Sequence, residues 1–243
     1  MLFYLPNFVS LKSNHMKKIL IAVCGFFLLS TLTGCLTFIE DLLVKENGSG
    51  HFRRTLDMSE MVDMMKSFKD MMPKDSGNNK SEDDMPNMND PKKFFEEQEA
   101  LKKVDGISNV TSSSDTVKQI FILEFDYKND VALNKALNEM LGENKKATPE
   151  RVYTITNKTV TRTDFNMLSE MTEPEEKNKE VAEMMSAFMS EMKIKFTITV
   201  PGNIKSVNNK TAVISDDKKK LTFATNLKDL SEKITTTEMK VTY

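Results

Sequence analysis

The sequence predicts an α+β fold: a largely antiparallel sheet with amphipathic, methionine-rich helices packed on one face. Three observations lead there. Short segments alternate apolar and polar residues with the period of two that a half-buried strand requires. Most of these segments are joined by tight Asn/Gly, Pro-Gly or Asn-Lys turns, which favour antiparallel neighbours. Methionines and phenylalanines recur every three or four residues in two other segments, as on one face of a helix. Composition narrows the rest. The chain has 243 residues, 34 basic and 36 acidic, a net charge of −2, 2 Cys, 2 His, 18 Met and no Trp. A zinc centre needs about four ligands, and the Cys and His residues are too few and too scattered to supply one or to build a disulfide framework. Near-neutral charge excludes the basic footprint of a nucleic-acid partner.

The elements follow in order. Residues 38–45 form an apolar-rich strand, Glu46-Asn47-Gly48-Ser49-Gly50 a dense turn signal, and 52–56 the returning strand. Asp57 and Ser59 are N-cap residues for a helix whose Met58, Met61, Met65, Phe68 and Met72 share one face, ended by Pro73. Residues 73–91 have no apolar period and many Asp, Asn, Ser and Lys, and read as a flexible loop. Residues 92–104 read as a second helix, stopped by Asp105-Gly106. Strands are expected at 107–112 and 120–127, the latter with Phe121, Leu123, Phe125 and Tyr127 on one side. Residues 130–141 suit a helix stopped by Gly142, and 152–155 and 160–165 flank a Thr156-Asn157-Lys158-Thr159 hairpin turn. A Met-rich helix covers 175–192. Strand 193–200 then places Ile194, Phe196, Ile198 and Val200 opposite Lys195, Thr197 and Thr199, and Pro201-Gly202 ends it. Shorter strands follow at 204–207, 211–214 and 221–225, with a last one in 234–243. Asp63-Met64-Met65 with Phe68 and Met72 is echoed by Glu183-Met184-Met185 with Phe188 and Met192, which duplication of a hairpin-plus-helix unit or a Met-rich composition would equally produce.

The first 34 residues read as an address. Met16-Lys17-Lys18 is a basic start, and residues 19–32 are an apolar run of about 14 residues, short of the roughly 20 needed to span a bilayer. That is the pattern of a secretory signal peptide. Residues 1–15, ahead of the better start at Met16, read as an over-extended gene start. The run ends in Leu32-Thr33-Gly34-Cys35, which resembles the lipobox of bacterial lipoproteins. The resemblance implies cleavage between Gly34 and Cys35 and a diacylglycerol on the Cys35 sulfur with an N-acyl chain. Two or more chains suffice for stable anchoring. The product, residues 35–243, would be a lipid-anchored α+β domain of 209 residues with 31 basic and 36 acidic groups. Its Cys would be lipidated and its sole histidine would be His51. Leu36 follows the anchor where an inner-membrane retention signal would be Asp, so delivery to the outer membrane of a Gram-negative bacterium is expected.

Candidate chemistry is sparse. The methionine faces could hold Cu(I) or an apolar partner, but their spacing is that of a core-facing stripe. The acidic loop with Glu82, Asp83, Asp84, Asn87, Asn89 and Asp90 has oxygen ligands for Ca²⁺ without the ordered spacing of an EF-hand. His51 beside Arg53 and Arg54 could be a small anion site, but surface strand residues next to a turn are the better reading. No Gly-rich phosphate loop, H-E-x-x-H or G-x-S-x-G motif occurs. No catalytic or metal residues and no cofactor are expected, and ligand-binding residues stay unassigned.

In the C-terminal half, Phe196-Thr197-Ile198-Thr199-Val200 runs into Pro201-Gly202-Asn203-Ile204 and Ser206-Val207-Asn208, with Lys220-Leu221-Thr222-Phe223 following. Near the N-terminus, Glu46-Asn47-Gly48-Ser49-Gly50 precedes a Thr-containing strand and a Met-rich helix. This arrangement resembles the uncharacterised bacterial lipoproteins grouped with the LppM-like domain. It departs from them where they often carry a Trp after the Pro-Gly strand; this chain has Phe223 there. The resemblance implies an α+β domain on a lipid anchor and transfers no catalytic residues. The expectation is a non-catalytic, lipid-anchored envelope protein that binds or supports an envelope partner. The alternative is a carrier or chaperone that uses its methionine faces for an apolar ligand.

Overall fold

A computed structural model describes residues 36–60, 98–140, 151–164, 190 and 192–243. The strands are β1 (Thr37–Val44), β2 (Gly50–Asp57), β3 (Ile107–Asp115), β4 (Ile120–Tyr127), β5 (Tyr153–Thr156), β6 (Thr159–Arg162), β7 (Lys193–Thr199), β8 (Ser206–Val207), β9 (Val213–Ile214), β10 (Lys220–Asn226) and β11 (Met239–Thr242). Two helices are described in full, α1 (Asp130–Met140) and α2 (Leu227–Ser231), and residues 59–60 and 98–101, within the segments 58–72 and 92–104 expected to be helical, are helical as well. The strands form a seven-stranded sheet in the order β3-β4-β2-β1-β7-β10-β9 and a four-stranded sheet in the order β5-β6-β11-β8.

Local chemistry explains the hairpins. Gly48 adopts φ +79°, a conformation that suits glycine, and the Asn47 carboxamide oxygen accepts from the Ser49 backbone N–H at 3.1 Å. The turn sets the register Val44↔Gly50 through Thr37↔Asp57. Asn157-Lys158 makes the two-residue turn between β5 and β6, as expected. Asp115 accepts from the backbone of Val117 and Lys118 and so bends the chain between β3 and β4.

Alternation in the seven-stranded sheet sends Phe38, Leu42, Phe52, Leu123, Phe125, Ile194, Phe196, Leu221 and Phe223 to one buried face. Phe52 stacks on Phe125 at 5.2 Å between centroids, and Phe196 on Phe223 at 6.0 Å. The four-stranded sheet adds Tyr153, Val160, Met239 and Val241 to the same core. Helix α1 lies beside β3 and β4 of one sheet and β5 of the other.

The expected α+β class holds in its coarse form, a sheet-dominated fold with few helices. Two details differ. The sheet is mixed, because β1 and β7 pair in parallel (Thr37↔Lys193 through Leu43↔Thr199) while the other pairings are antiparallel. A parallel neighbour needs a long crossover, and local turn signals cannot reveal a pairing between strands about 150 residues apart. Strands expected to share one sheet are also divided between two, since the β5–β6 hairpin pairs with β11. Most of the Met-rich helical faces (61–72 and 175–189), the acidic loop and the signal segment through Cys35 lie outside the described residues. The methionines within them, Met58, Met140, Met192 and Met239, are all buried.

Candidate functional site

The pleat of β2 separates neighbouring basic residues. His51 and Arg53 point to one face of the large sheet, and Arg54 follows Phe52 to the other. On the buried face Arg54 lies opposite Glu40, which sits between Phe38 and Leu42 on β1. The Arg54 Nη2 donates to the Glu40 Oε1 at 2.7 Å, and its Nε reaches the same oxygen at 3.3 Å. The Glu40 residue is 4% exposed and Arg162, on β6 of the smaller sheet, 3%. Arg162 Nη2 stands 3.9 Å from Glu40 Oε2. Its Nη1 donates to the carbonyls of Thr163 and Thr237, both at 3.3 Å. Two guanidinium groups from two sheets therefore share one buried carboxylate.

Aromatic faces complete the surroundings. The Arg162 guanidinium carbon lies 3.9 Å from the Phe196 ring centroid, and that of Arg54 lies 5.3 Å from Phe38 and 5.7 Å from Phe52. Tyr153 is the register partner of Arg162. Burial and then the negative charge of Glu40 push the Tyr153 hydroxyl well above its usual range, so it stays protonated. Asn134 of α1 fixes Tyr153: its amide donates to the Tyr153 carbonyl at 2.6 Å, and its oxygen accepts from the backbone of Val152 and Tyr153 at 2.7 and 2.9 Å. Burial works to raise the Asp164 carboxyl, but hydrogen bonds from Thr236 and Thr237 and the Arg162 charge outweigh it and hold that group low. The cluster thus ties β1, β2 and β7 to β6 and to the segment entering β11.

The opposite face carries a solvent-accessible cluster. His51 Nδ1 lies 2.9 Å from Asp126 Oδ1, and its Nε2 lies 3.7 Å from Glu124 Oε2. Arg53 Nε is 3.9 Å from the same Glu124 oxygen. Asn109 donates to Asp126 Oδ2 at 2.7 Å, and Thr111 donates to Glu124 Oε1 at 3.1 Å. The Asn109 hydrogen bond first, and the His51 hydrogen bond second, hold the Asp126 carboxyl below its ordinary value. The reading of His51, Arg53 and Arg54 as one anion site is corrected: the first two face carboxylates on the accessible side, and the third is turned inward and paired with the buried Glu40. The preferred surface reading fits His51 and Arg53, whose side chains are 38% and 44% exposed, and is corrected for Arg54, whose side chain is 12% exposed. Period-two alternation is the reason, since residues 53 and 54 cannot share a face of one strand.

The Glu40–Arg54–Arg162 cluster was missed in the sequence. Its signal was a charge at the centre of an apolar i±2 series on both strands of one hairpin: Phe38-Glu40-Leu42 opposite Phe52-Arg54-Leu56. Among the described residues, no group of three or more His, Cys, Asp or Glu is arranged to hold a metal ion. The methionine copper reading and the Ca²⁺ loop lie largely outside those residues. A shallow open groove is lined by Lys103, Val104, Asp105, Lys135, Asn138 and Glu139, among others, between α1 and the turn before β3. No described helix is long and apolar enough to cross a membrane. Gly34 and Cys35, the residues of the expected cleavage and lipidation, precede the first described residue, Leu36.

Leu36 itself is buried, and its carbonyl accepts from the Lys193 backbone at 2.8 Å. Strand β1 begins at the next residue.

No protein-family model and no curated protein matches the chain. Among solved structures, the NMR structure of the folded domain of the Mycobacterium tuberculosis LppM protein is a weak neighbour. It has 8% sequence identity and a TM-score of 0.35, with 86% of this chain and 89% of that chain covered. At that score the likeness is too loose to establish a shared fold.

Proposed function

We propose that this chain is a lipid-anchored cell-envelope protein with a non-catalytic binding or structural role, carried on the outer membrane of a Gram-negative bacterium. The observation that carries the reading is the ordered series of basic start, short apolar run and Leu32-Thr33-Gly34-Cys35. Several of the charged groups described are held in ion pairs and turns: Glu40 by Arg54 and Arg162, Asp126 by His51 and Asn109, Asp115 by its own turn. These arrangements suit a scaffold that presents surface to an envelope partner. Nothing among the described residues favours the apolar carrier over this reading, because the methionines described are buried in the core.

The test is metabolic labelling with an acyl-chain probe. The wild-type chain should be labelled and shortened by its signal peptide. Cys35→Ala should remain a full-length, unlabelled precursor. Normal processing and membrane attachment of Cys35→Ala would sink the proposal, and fractionation of the two membranes tests the outer-membrane assignment.

A further inference from the structure

A lipoprotein body commonly needs slack between its lipid and its first folded residue to stand away from the bilayer. Here that slack is missing. Cys35 is bonded to Leu36, whose side chain is 3% exposed and whose carbonyl is held by the Lys193 N–H. Consecutive Cα atoms are about 3.8 Å apart, so a lipid on Cys35 would be attached one residue away from the held Leu36. We propose that the end of the seven-stranded sheet where β1 begins rests directly on the membrane that holds the Cys35 lipid, with the Val117 and Ile234 loop tips in its headgroup layer. This inference rests on the lipidation reading above.

The strand register places the anchor centrally. Asp115, Ile120, Asp57, Thr37, Lys193 and Asn226 form one row across β3, β4, β2, β1, β7 and β10. With about 4.8 Å between neighbouring strands, Thr37 lies roughly 14 Å from Asp115 on one side and roughly 10 Å from Asn226 on the other. Val117 is two residues beyond Asp115. Ile234 follows α2, which starts directly after Asn226, and its N–H returns to the Asp229 carbonyl. Val117 therefore lies in the turn at the end of the sheet where β1 begins, and Ile234 follows eight residues after the row.

Exposure supports the same end. Of the exposed large hydrophobics, Val117 at 85%, Val213 at 68% and Ile234 at 67% project furthest into solvent. Two of these three belong to the anchor end. Val213 pairs with Thr222, four residues along β10 from the row. Lys118, Lys193, Lys228 and Lys233 are exposed around the same end, where long side chains can carry ammonium groups to lipid phosphates. The same end also carries carboxylates: Asp115 accepts two backbone N–H groups and Asp57 caps Ser59, while Glu60, Asp229 and Glu232 lie on the segments that leave the row. What distinguishes this end is therefore its exposed apolar tips beside a membrane-held point, with lysines and carboxylates mixed around them.

The chain contains no Trp, so single tryptophans report position without background. Val117→Trp, Ile234→Trp and Glu46→Trp, the last in the turn at the opposite end of β1, are made in the full-length, lipidated protein. Each is reconstituted into phosphatidylethanolamine–phosphatidylglycerol vesicles with brominated acyl chains. The expected result is flotation of all three, with blue-shifted and quenched emission from the first two and unquenched emission from Glu46→Trp. A long Gly-Ser insertion between Cys35 and Leu36 should preserve flotation and abolish the quenching. Flotation with quenching at Glu46→Trp equal to the other two, or quenching at none of them, overturns the proposed orientation while leaving the anchor intact. Quenching that survives the insertion overturns the role given to the missing slack. Absence of flotation, with no acyl mass on the Cys35 peptide, overturns the anchor and this inference together.

Discussion

Arg53 and Arg54 are neighbours in the chain and opposites in the structure. Arg53 projects to the accessible face, where its side chain is 44% exposed and its nearest carboxylate, on Glu124, is 3.9 Å away. Arg54 projects to the core, where its side chain is 12% exposed and donates to Glu40 at 2.7 Å. The residue types are the same and the strand is the same, but the solvent differs. In water an ion pair gains little over hydration, and salt screens it further. Between the sheets the charges have lost their hydration, so each depends on its partner and the loss of one is costly. The contrast teaches that the charge content of a face says little until its access to water is known.

Removing Glu40 should give the largest effect. Glu40→Ala leaves the buried Arg162 charge and the inward-turned Arg54 charge without their carboxylate and is expected to cost about 3–5 kcal/mol, read from the shift of the urea unfolding midpoint. A loss below about 1 kcal/mol would show that water reaches the cluster and would erase the contrast between faces. Next in size is Gly50→Ala, which probes packing on the same buried face. An added Cβ would collide with the Leu43 carbonyl and the Tyr127 ring, whose hydroxyl donates to that carbonyl at 2.9 Å. The expected cost is about 2 kcal/mol, and wild-type stability in that variant would contradict the close approach.

On the accessible face the effects shrink. Arg53→Ala should change stability by no more than about 0.5 kcal/mol, checked by the same denaturation. A larger loss would mean that the two faces are less different than their exposure indicates. The smallest expected effect concerns pH. Because the folded-state value of Asp126 is depressed, its stabilisation is complete above the ordinary carboxylate range and is lost as pH falls through the folded value. Asn109→Ala removes the main cause of the depression. The Asp126 titration, followed by carboxyl NMR, should then move up toward about 3.9, so that the loss begins at higher pH. An unmoved titration curve would assign the depression to His51 instead.

The two hairpins show how much could be read locally. Phe121, Leu123, Phe125 and Tyr127 were expected on one side of 120–127, and they form the buried face of β4. The turns at Asn47-Gly48 and Asn157-Lys158 were expected where they occur, because the side chain of Asn and the freedom of Gly act within a few residues. Helix α2 was missed; its five residues carry no period, and only Asn226, which caps the Asp229 N–H at 2.7 Å, signalled it. The buried cluster was half legible. Glu40 and Arg54 are matched by the hairpin register, whereas Arg162 arrives from a strand more than a hundred residues later.

The sequence by itself determined the strand alternation, the hairpin turns and the shortage of imidazole and thiol groups. These depend on residue type and on neighbours a few positions away. Only the tertiary structure decided that β1 pairs in parallel with β7, that the β5–β6 hairpin joins a separate sheet, and that Arg54 is largely shielded while Arg53 is wet. Those outcomes depend on which distant surface covers a given face. A period of two divides a strand into two sides but cannot say which protein atoms, or which water, will lie against each.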